Sequence, residues 1–256
     1  ELFLWIPLIN VKASVFLNLK EVSLGDNRNF VAIMDIKYFK KSIPTVLAML
    51  VFSIAGVYVF YKLLTPEKRL PIYSPIDVNP RLVDASLQHV KKNHKIANFS
   101  LLNQNGEEVT QNVFQDKIYV ADFFFTRCGT ICPIMTTNMA AVQKAFLNDT
   151  LVLLLSHSVT PIMDSVSVLK EYAVNKEVID AKWHLVTGDK KEIYKLARKS
   201  YFAVLDEGDG GAQDFIHTEQ FILVDKKKRI RGYYDGTDSK EIKRIIDDIY
   251  LLKKEK

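Results

Sequence analysis

The stretch at residues 119–135, YVADFFFTRCGTICPIM, decides the fold. An apolar run (Ile118, Val120, Phe123, Phe124, Phe125) spells a buried strand that stops at Thr126 and Arg127. Cys128 follows, then Gly129, Thr130 and Ile131, then Cys132 and Pro133. From there Met135, Met139, Val142 and Phe146 recur at helical spacing. Pro133 suits the first turn of a helix, where its missing N–H is no loss. The two cysteines therefore fall on a loop and at a helix N-terminus. There the backbone N–H groups and the helix dipole favour thiolate over thiol. They are the only two cysteines among 256 residues, which points to chemistry at this turn. A disulfide staple across so short a loop would contribute little loop-closure entropy.

Working outward, residues 99–109 (FSLLNQNGEEV) read as a hairpin about an Asn105-Gly106 turn. Residues 118–125 form the central strand and 134–148 the helix after the cysteines. Residues 151–155 are apolar throughout, as a strand buried on both faces would be. Residues 165–175 are helical, 183–186 a short strand, and 190–201 a helix with Ile193, Leu196 and Ala197 on one face. Residues 219–225 and 230–235 make a hairpin across 226–229, and 239–252 a closing amphipathic helix. This alternation predicts one α/β layer domain, with no internal repeat. A cysteine pair between the first central strand and its helix resembles the thioredoxin-like arrangement, a mixed sheet flanked by helices, with an extra N-terminal hairpin. The spacing here is Cys-x-x-x-Cys rather than Cys-x-x-Cys, so both sulfurs can point at one ion or close as a disulfide.

Hydrophobic residues make up 48% of the chain, and mean hydropathy is near zero at +0.01. Both are high for a plain soluble domain. Residues 43–61 (IPTVLAMLVFSIAGVYVFY) explain it: 19 residues without a charge, about the length that crosses the hydrocarbon of a bilayer. A cleaved signal peptide would need small residues at its end, and 58–64 are bulky. The expectation is an uncleaved, single-pass anchor. Lys37, Lys40 and Lys41 before it balance Lys62, Lys68 and Arg69 after it, so charge does not set the orientation. The short N-terminal side favours N-in, with the large domain facing the periplasm or extracytoplasmic side of the inner (cytoplasmic) membrane. Residues 1–42 are expected to be an N-terminal extension whose natural start is Met34. Residues 62–97, with prolines at 66, 71, 75 and 80, read as an extended linker, and 98–256 as the folded domain. The net charge of +5 gathers at 226–231 and at the C-terminal KKEK, in neither place interleaved with aromatics as a nucleic-acid surface would be.

Several features together resemble the Sco/SenC family of membrane-anchored, thioredoxin-fold copper proteins. They are Thr126-Arg127-Cys128 through Cys132-Pro133 after the Phe-rich strand, Phe215-Ile216-His217-Thr218 ahead of the strand at 220–224, LKEY at 169–172, WHLVTG at 183–188 and the anchor. The resemblance implies copper, Cu(I) or Cu(II), as the metal, with Cys128, Cys132 and His217 as its ligands. It implies a role in assembling the binuclear copper centre of cytochrome c oxidase. The partners implied are the oxidase's copper-bearing subunit, an upstream copper donor and a thiol reductant. Two thiolates suit soft Cu(I), and an added imidazole admits Cu(II). The chain departs from the family in three places. Gly129 stands where proline is common after the first cysteine. Only Asp164 survives of an acidic loop at 158–165, and Ile216 replaces an Asp before the histidine. These losses bear on Cu(II) affinity and partner docking more than on Cu(I).

Four other histidines are weighed against His217. His157, at the end of the strand at 151–155, is a second candidate ligand or a supporting residue, since strand ends cluster near such sites. His89 and His94 read as solvated and His184 as structural. Zinc is open to a Cys2His set on ligand type alone. A thiol–disulfide reductase is the alternative function, with Cys128 attacking as thiolate and Cys132 resolving. A peroxidase with Thr126 and Arg127 polarising peroxide beside Cys128 is a third.

Overall fold

The computed structural model describes residues 36–65, 68–83, 89–90, 93–205, 211 and 213–255. The expectation for Met34 and the residues before it lies outside these. The chain divides into two compact units at Pro66 and Glu67.

Among its described residues the first unit holds one helix, α1 (Ile36–Leu64). Its stretch Ser42–Leu64 is 23 residues long, or about 35 Å at 1.5 Å per residue, enough for a bilayer's hydrocarbon of roughly 30 Å. Its side chains there are exposed throughout, bulky ones such as Phe52 and Leu63 included. By length and composition it is the one helix among the described residues able to cross a membrane.

The second unit is a seven-stranded mixed sheet in the order β2-β1-β5-β4-β3-β6-β7. Its strands are β1 (Ser100–Asn103), β2 (Glu108–Thr110), β3 (Ile118–Phe124), β4 (Val152–Ser158), β5 (Trp183–Thr187), β6 (Gln220–Val224) and β7 (Ile230–Asp235). Helices α2 (Ile131–Ala145), α3 (Val166–Asn175), α4 (Lys190–Lys195) and α5 (Ser239–Lys254) complete it. β3, β4 and β5 run parallel, and the flanking strands pair antiparallel. The central strands β3 and β4 are buried at every position, which is why their sequence is apolar without alternation. Side chains nevertheless alternate between two cores. Tyr119, Ala121 and Phe123 join one; Ile118, Val120 and Phe124 join the other, together with Cys128, Cys132 and the apolar stripe of α2. The hairpin turn falls at Gly106, whose φ of +77° a side-chain-bearing residue would resist.

Three elements differ from expectation. α2 starts at Ile131 rather than 134, so Cys132 lies inside its first turn. The helix from Lys190 runs regularly to Lys195, and Leu196–Ser200 continues as a wider π turn. The stretch expected as a linker is not free along its length. Leu70, Val78, Val83 and Ile96 are buried, Tyr73 bridges to Ile230, and the buried Arg231 guanidinium donates to the carbonyls of Leu70 and Pro71. Proline-rich backbone has carbonyls to spare, and a guanidinium with several donors satisfies them.

Candidate metal and thiol site

The Cys128 loop leaves β3 and enters α2. Thr130 occupies the helix N-cap but makes no side-chain cap bond. The sulfur of Cys128 takes that place, accepting the Cys132 N–H at 3.4 Å, with the Thr130 hydroxyl 3.6 Å away. A helix start leaves its first N–H groups without partners, and here one of them is aimed at a thiol. Both cysteines are free, 9% exposed at Cys128 and 3% at Cys132, so an incoming group meets Cys128 first.

Their acidities are far apart. Burial disfavours the Cys128 thiolate, but bonds from the Cys132 and Thr130 backbone and from the Thr130 side chain outweigh it, bringing the thiol down to about 6. Burial pushes Cys132 up to about 12, against a backbone bond from Phe125, with the Cys128 and Asp122 charges adding to it. At neutral pH one sulfur is thus a thiolate and the other a thiol.

Two carboxylates support this loop. Asp164, wholly buried, accepts the Thr126 hydroxyl at 2.6 Å and its N–H at 3.3 Å. It also accepts the hydroxyls of Ser158 (2.6 Å) and Thr160 (3.0 Å). The surviving acidic residue of that loop therefore pins the entry to the cysteines. Thr126 is held by this clamp, and the exposed Arg127 reaches the Met163 sulfur at 3.8 Å. Asp122 lies within β3, 2% exposed, opposite Ser156. The Trp183 indole N–H donates to Ser156 Oγ at 2.8 Å, and Asp122 Oδ1 has no partner. Burial pushes this carboxyl up to about 7, against a hydrogen bond from Ser156. The sequence carried its signal, an Asp inside YVADFFF, but periodicity gives an isolated acid in an apolar run no role. Tyr172, bonded through its hydroxyl to Thr136 at 2.7 Å, feels the same charges: burial first, then Cys132 and Asp122, push it up to about 12.

His217 stands apart. It is exposed, and its ring centroid is 6.5 Å from that of Phe215, which meets Phe125 at 5.4 Å. The segment is tied at its base, where Asp214 pairs with Arg198 (2.7 Å) and its carbonyl accepts from Lys190 (2.6 Å). Among the described residues no three His, Cys, Asp or Glu side chains gather as a metal cluster. The structure thus brings Cys128 and Cys132 together and leaves His217 outside. His157 is fully buried, stacked on Phe123 (4.7 Å) and edge-on to Tyr201, in the core across the sheet from the cysteines. Burial pulls it down to about 4, against its bond to the Asp122 carbonyl. His94 is half-buried, with Nε2 2.7 Å from the Ser200 carbonyl, and His184 packs edge-on to Phe114; His89 is exposed.

A mixed sheet with a reactive cysteine at the strand-to-helix turn, a second cysteine in the first helical turn and flanking helices defines a thioredoxin-like protein. Within that class the match is specific. The family model described as SCO1/SenC covers residues 88–252, and the chain belongs to that family. The SCO1 protein homolog of Bacillus subtilis is 33% identical over 159 residues, 61% of this chain and 82% of that protein. Protein sco1 of Schizosaccharomyces pombe is 29% identical over 163 residues, and the match spans 61% of that relative's length. A SCO1/SenC family lipoprotein from Bacillus anthracis superposes with a TM-score of 0.56 at 31% identity, over 65% of this chain and 99% of that one. BsSco, described as a member of the Sco family of cytochrome c oxidase assembly proteins with a disulfide switch, gives 0.55 at 32% identity, over 64% and 96%.

Proposed function

We propose that the chain binds copper through Cys128 and Cys132 and serves assembly of the binuclear copper site of cytochrome c oxidase. It does so as a membrane-anchored factor, held by residues 43–61 with its folded unit on the extracytoplasmic side. The observation that carries this reading is the sulfur pair: one thiolate at neutral pH and a second sulfur a single helical turn away. Soft sulfur donors suit Cu(I). The likeness to BsSco, an oxidase assembly protein by description, supports the partner, the oxidase's copper-bearing subunit. His217 is the third donor in this reading. Ile216 and Thr218 on either side of it are buried while Phe215 and His217 are exposed, so in this reading the His217 side chain turns toward the sulfurs when the ion binds. A donor held in reserve suits a site that must both accept an ion and release it.

Metal analysis with absorption and EPR spectra of the full chain in detergent tests this. One copper per chain is expected, lost in Cys128→Ser and in Cys132→Ser, with Cu(II) but not Cu(I) lost in His217→Ala. Zinc retained in preference to copper would refute it.

The split acidities favour a second reading, a thiol–disulfide reductase for the oxidase's cysteines. Cys128 attacks as thiolate, and Cys132, once deprotonated, resolves the mixed disulfide. Disulfide exchange that survives His217→Ala while Cu(II) binding disappears would show the two activities to be separable.

A further inference from the structure

The loop after β4 carries a thioether to the same end of the sheet as the cysteines. β3 and β4 run parallel and end level, Phe124 beside Ser158. The Val159 N–H continues the pairing onto the Phe124 carbonyl at 2.8 Å. The turns that follow the two strands therefore leave the sheet together, and the later one is fastened to the cysteine turn. Asp164 accepts from Thr126, two residues before Cys128. Met163 and Asp164 both donate their backbone N–H groups to the Thr160 carbonyl at 2.9 Å. Two residues of chain span at most about 7 Å, so the Cys128 backbone lies close to this contact.

Met163 differs from the chain's four other methionines. Met34 and Met49 precede the folded unit. Met135 and Met139 are fully buried in its core, whereas Met163 is 53% exposed. It is thus the one thioether of that unit open to solvent. Its backbone is held while its side chain is not packed away, and its neighbour Ile162 is exposed as well. The Met163 sulfur accepts from the Arg127 guanidinium at 3.8 Å. A thioether is a weak acceptor, so that contact is given up at little cost.

We propose that Met163 is the third donor when the ion is Cu(I), its thioether joining the sulfurs of Cys128 and Cys132, with His217 keeping that place for Cu(II). The inference rests on the copper reading above and deepens it. A soft thioether selects the soft ion, as an imidazole does not. The unbranched side chain has three rotatable bonds, so it turns from Arg127 to the ion while the pinned backbone stays in place. A thioether carries no proton, so its ligation releases none and needs no base. Two thiolates around Cu(I) leave a net negative charge, and the Arg127 guanidinium, next in sequence to Cys128, is a cation placed to balance it.

The test uses the full chain in detergent, with selenomethionine in place of methionine and an equivalent of Cu(I) added. Selenium-edge X-ray absorption is expected to show a copper neighbour, and the Met163→Leu variant, labelled in the same way, to show none. Competition with a chromophoric Cu(I) chelator should give an affinity about tenfold weaker in Met163→Leu, the low end of the range for groups that support a bound metal. The Cu(II) EPR spectrum should be unchanged. Leucine conserves the volume of an exposed side chain, so the fold is kept, and the spectrum of the parent does not depend on the variant. Cu(I) held without a copper–selenium contact, or held equally well by the variant, overturns the inference and leaves the sulfur pair standing. A chain that holds no Cu(I) sinks the copper reading and this inference with it.

Discussion

The turn that carries Cys128 and Cys132 and the segment that carries His217 present their donors in opposite ways, the sulfurs buried and the imidazole exposed, although both are proposed to serve one ion. The cysteine turn is built from beneath. Asp164 clamps its entry through Thr126, a helix start donates to its first sulfur, and the buried Asp122 adds charge near its second. The His217 segment is fixed at Asp214 by Arg198 and Lys190 and by the burial of Ile216 and Thr218 on either side of the histidine, while the rings of Phe215 and His217 are exposed. Sulfur acidity is therefore set by the fold itself, whereas the imidazole is an exposed side chain whose contribution depends on which way it turns. A carrier gains from that division. In the proposed role the soft donors would hold the ion, and the third donor would come from an exposed side chain.

If the cysteine turn is tuned from below, the largest effect should come from Asp122. Its carboxyl is raised to about 7 in the fold from 3.8. The folded protein therefore binds the proton more tightly than the unfolded chain, and stability falls as pH rises from about 4 to 7. The full penalty, about 4 kcal/mol by linkage, is present above that window and absent below it. Asp122→Asn should be the more stable protein at pH 8 and equal to the parent near pH 3.5, read from urea unfolding of the full apo chain in detergent. The difference between the two proteins also removes His157, whose lowered pKa acts in the opposite sense over part of the same range. A variant no more stable than the parent at pH 8 would remove Asp122 from the account.

The next effect is selective labelling. With Cys128 near 6 and Cys132 near 12, the thiolate populations at pH 7 differ by roughly five orders of magnitude. The weaker intrinsic nucleophilicity of the more acidic thiol gives back two to three of these. Iodoacetamide should modify Cys128 roughly a hundred-fold faster than Cys132, as counted by peptide mass mapping, and the Cys128 rate should titrate about pH 6. Equal labelling would mean that the two sulfurs are not differentiated by the fold.

Much of this contrast was legible in residue order. The strand at 118–125, the cysteine turn and Pro133 placed both sulfurs correctly because a buried strand followed by a helix leaves the intervening turn few options. Asp164 was recognised as a surviving acid but not as a clamp, since its partners Thr126 and Ser158 come from separate elements. Asp122 escaped notice because pattern reading averages over a run, and only the pairing of β3 with β4 sets it beside Ser156. His157 was left open between a ligand and a supporting residue for a related reason. Strand ends do cluster at the site, but alternation sends this ring to the far core. Leu70 and Tyr73 were expected in a linker because prolines conceal their anchoring, which depends on the distant Arg231.

Smaller effects separate the clamp from the exposed histidine. Thr126→Val removes the 2.6 Å bond to Asp164 while Ser158 and Thr160 still satisfy the carboxylate. A loss of about 1–2 kcal/mol is expected from denaturant unfolding, and no loss would show that the clamp does not hold the turn. His217→Ala should shift stability by less than about 0.5 kcal/mol, as a surface change away from packed contacts does. It should also leave the pH at which Cys128 is half-alkylated unchanged, because the sulfur's acidity comes from Cys132 and Thr130. A rise in that pH on removing the imidazole would place the ring beside the thiolate in the metal-free protein. The ring would then lie over the sulfurs before any ion arrives, and the contrast between a buried sulfur pair and an exposed imidazole would fail.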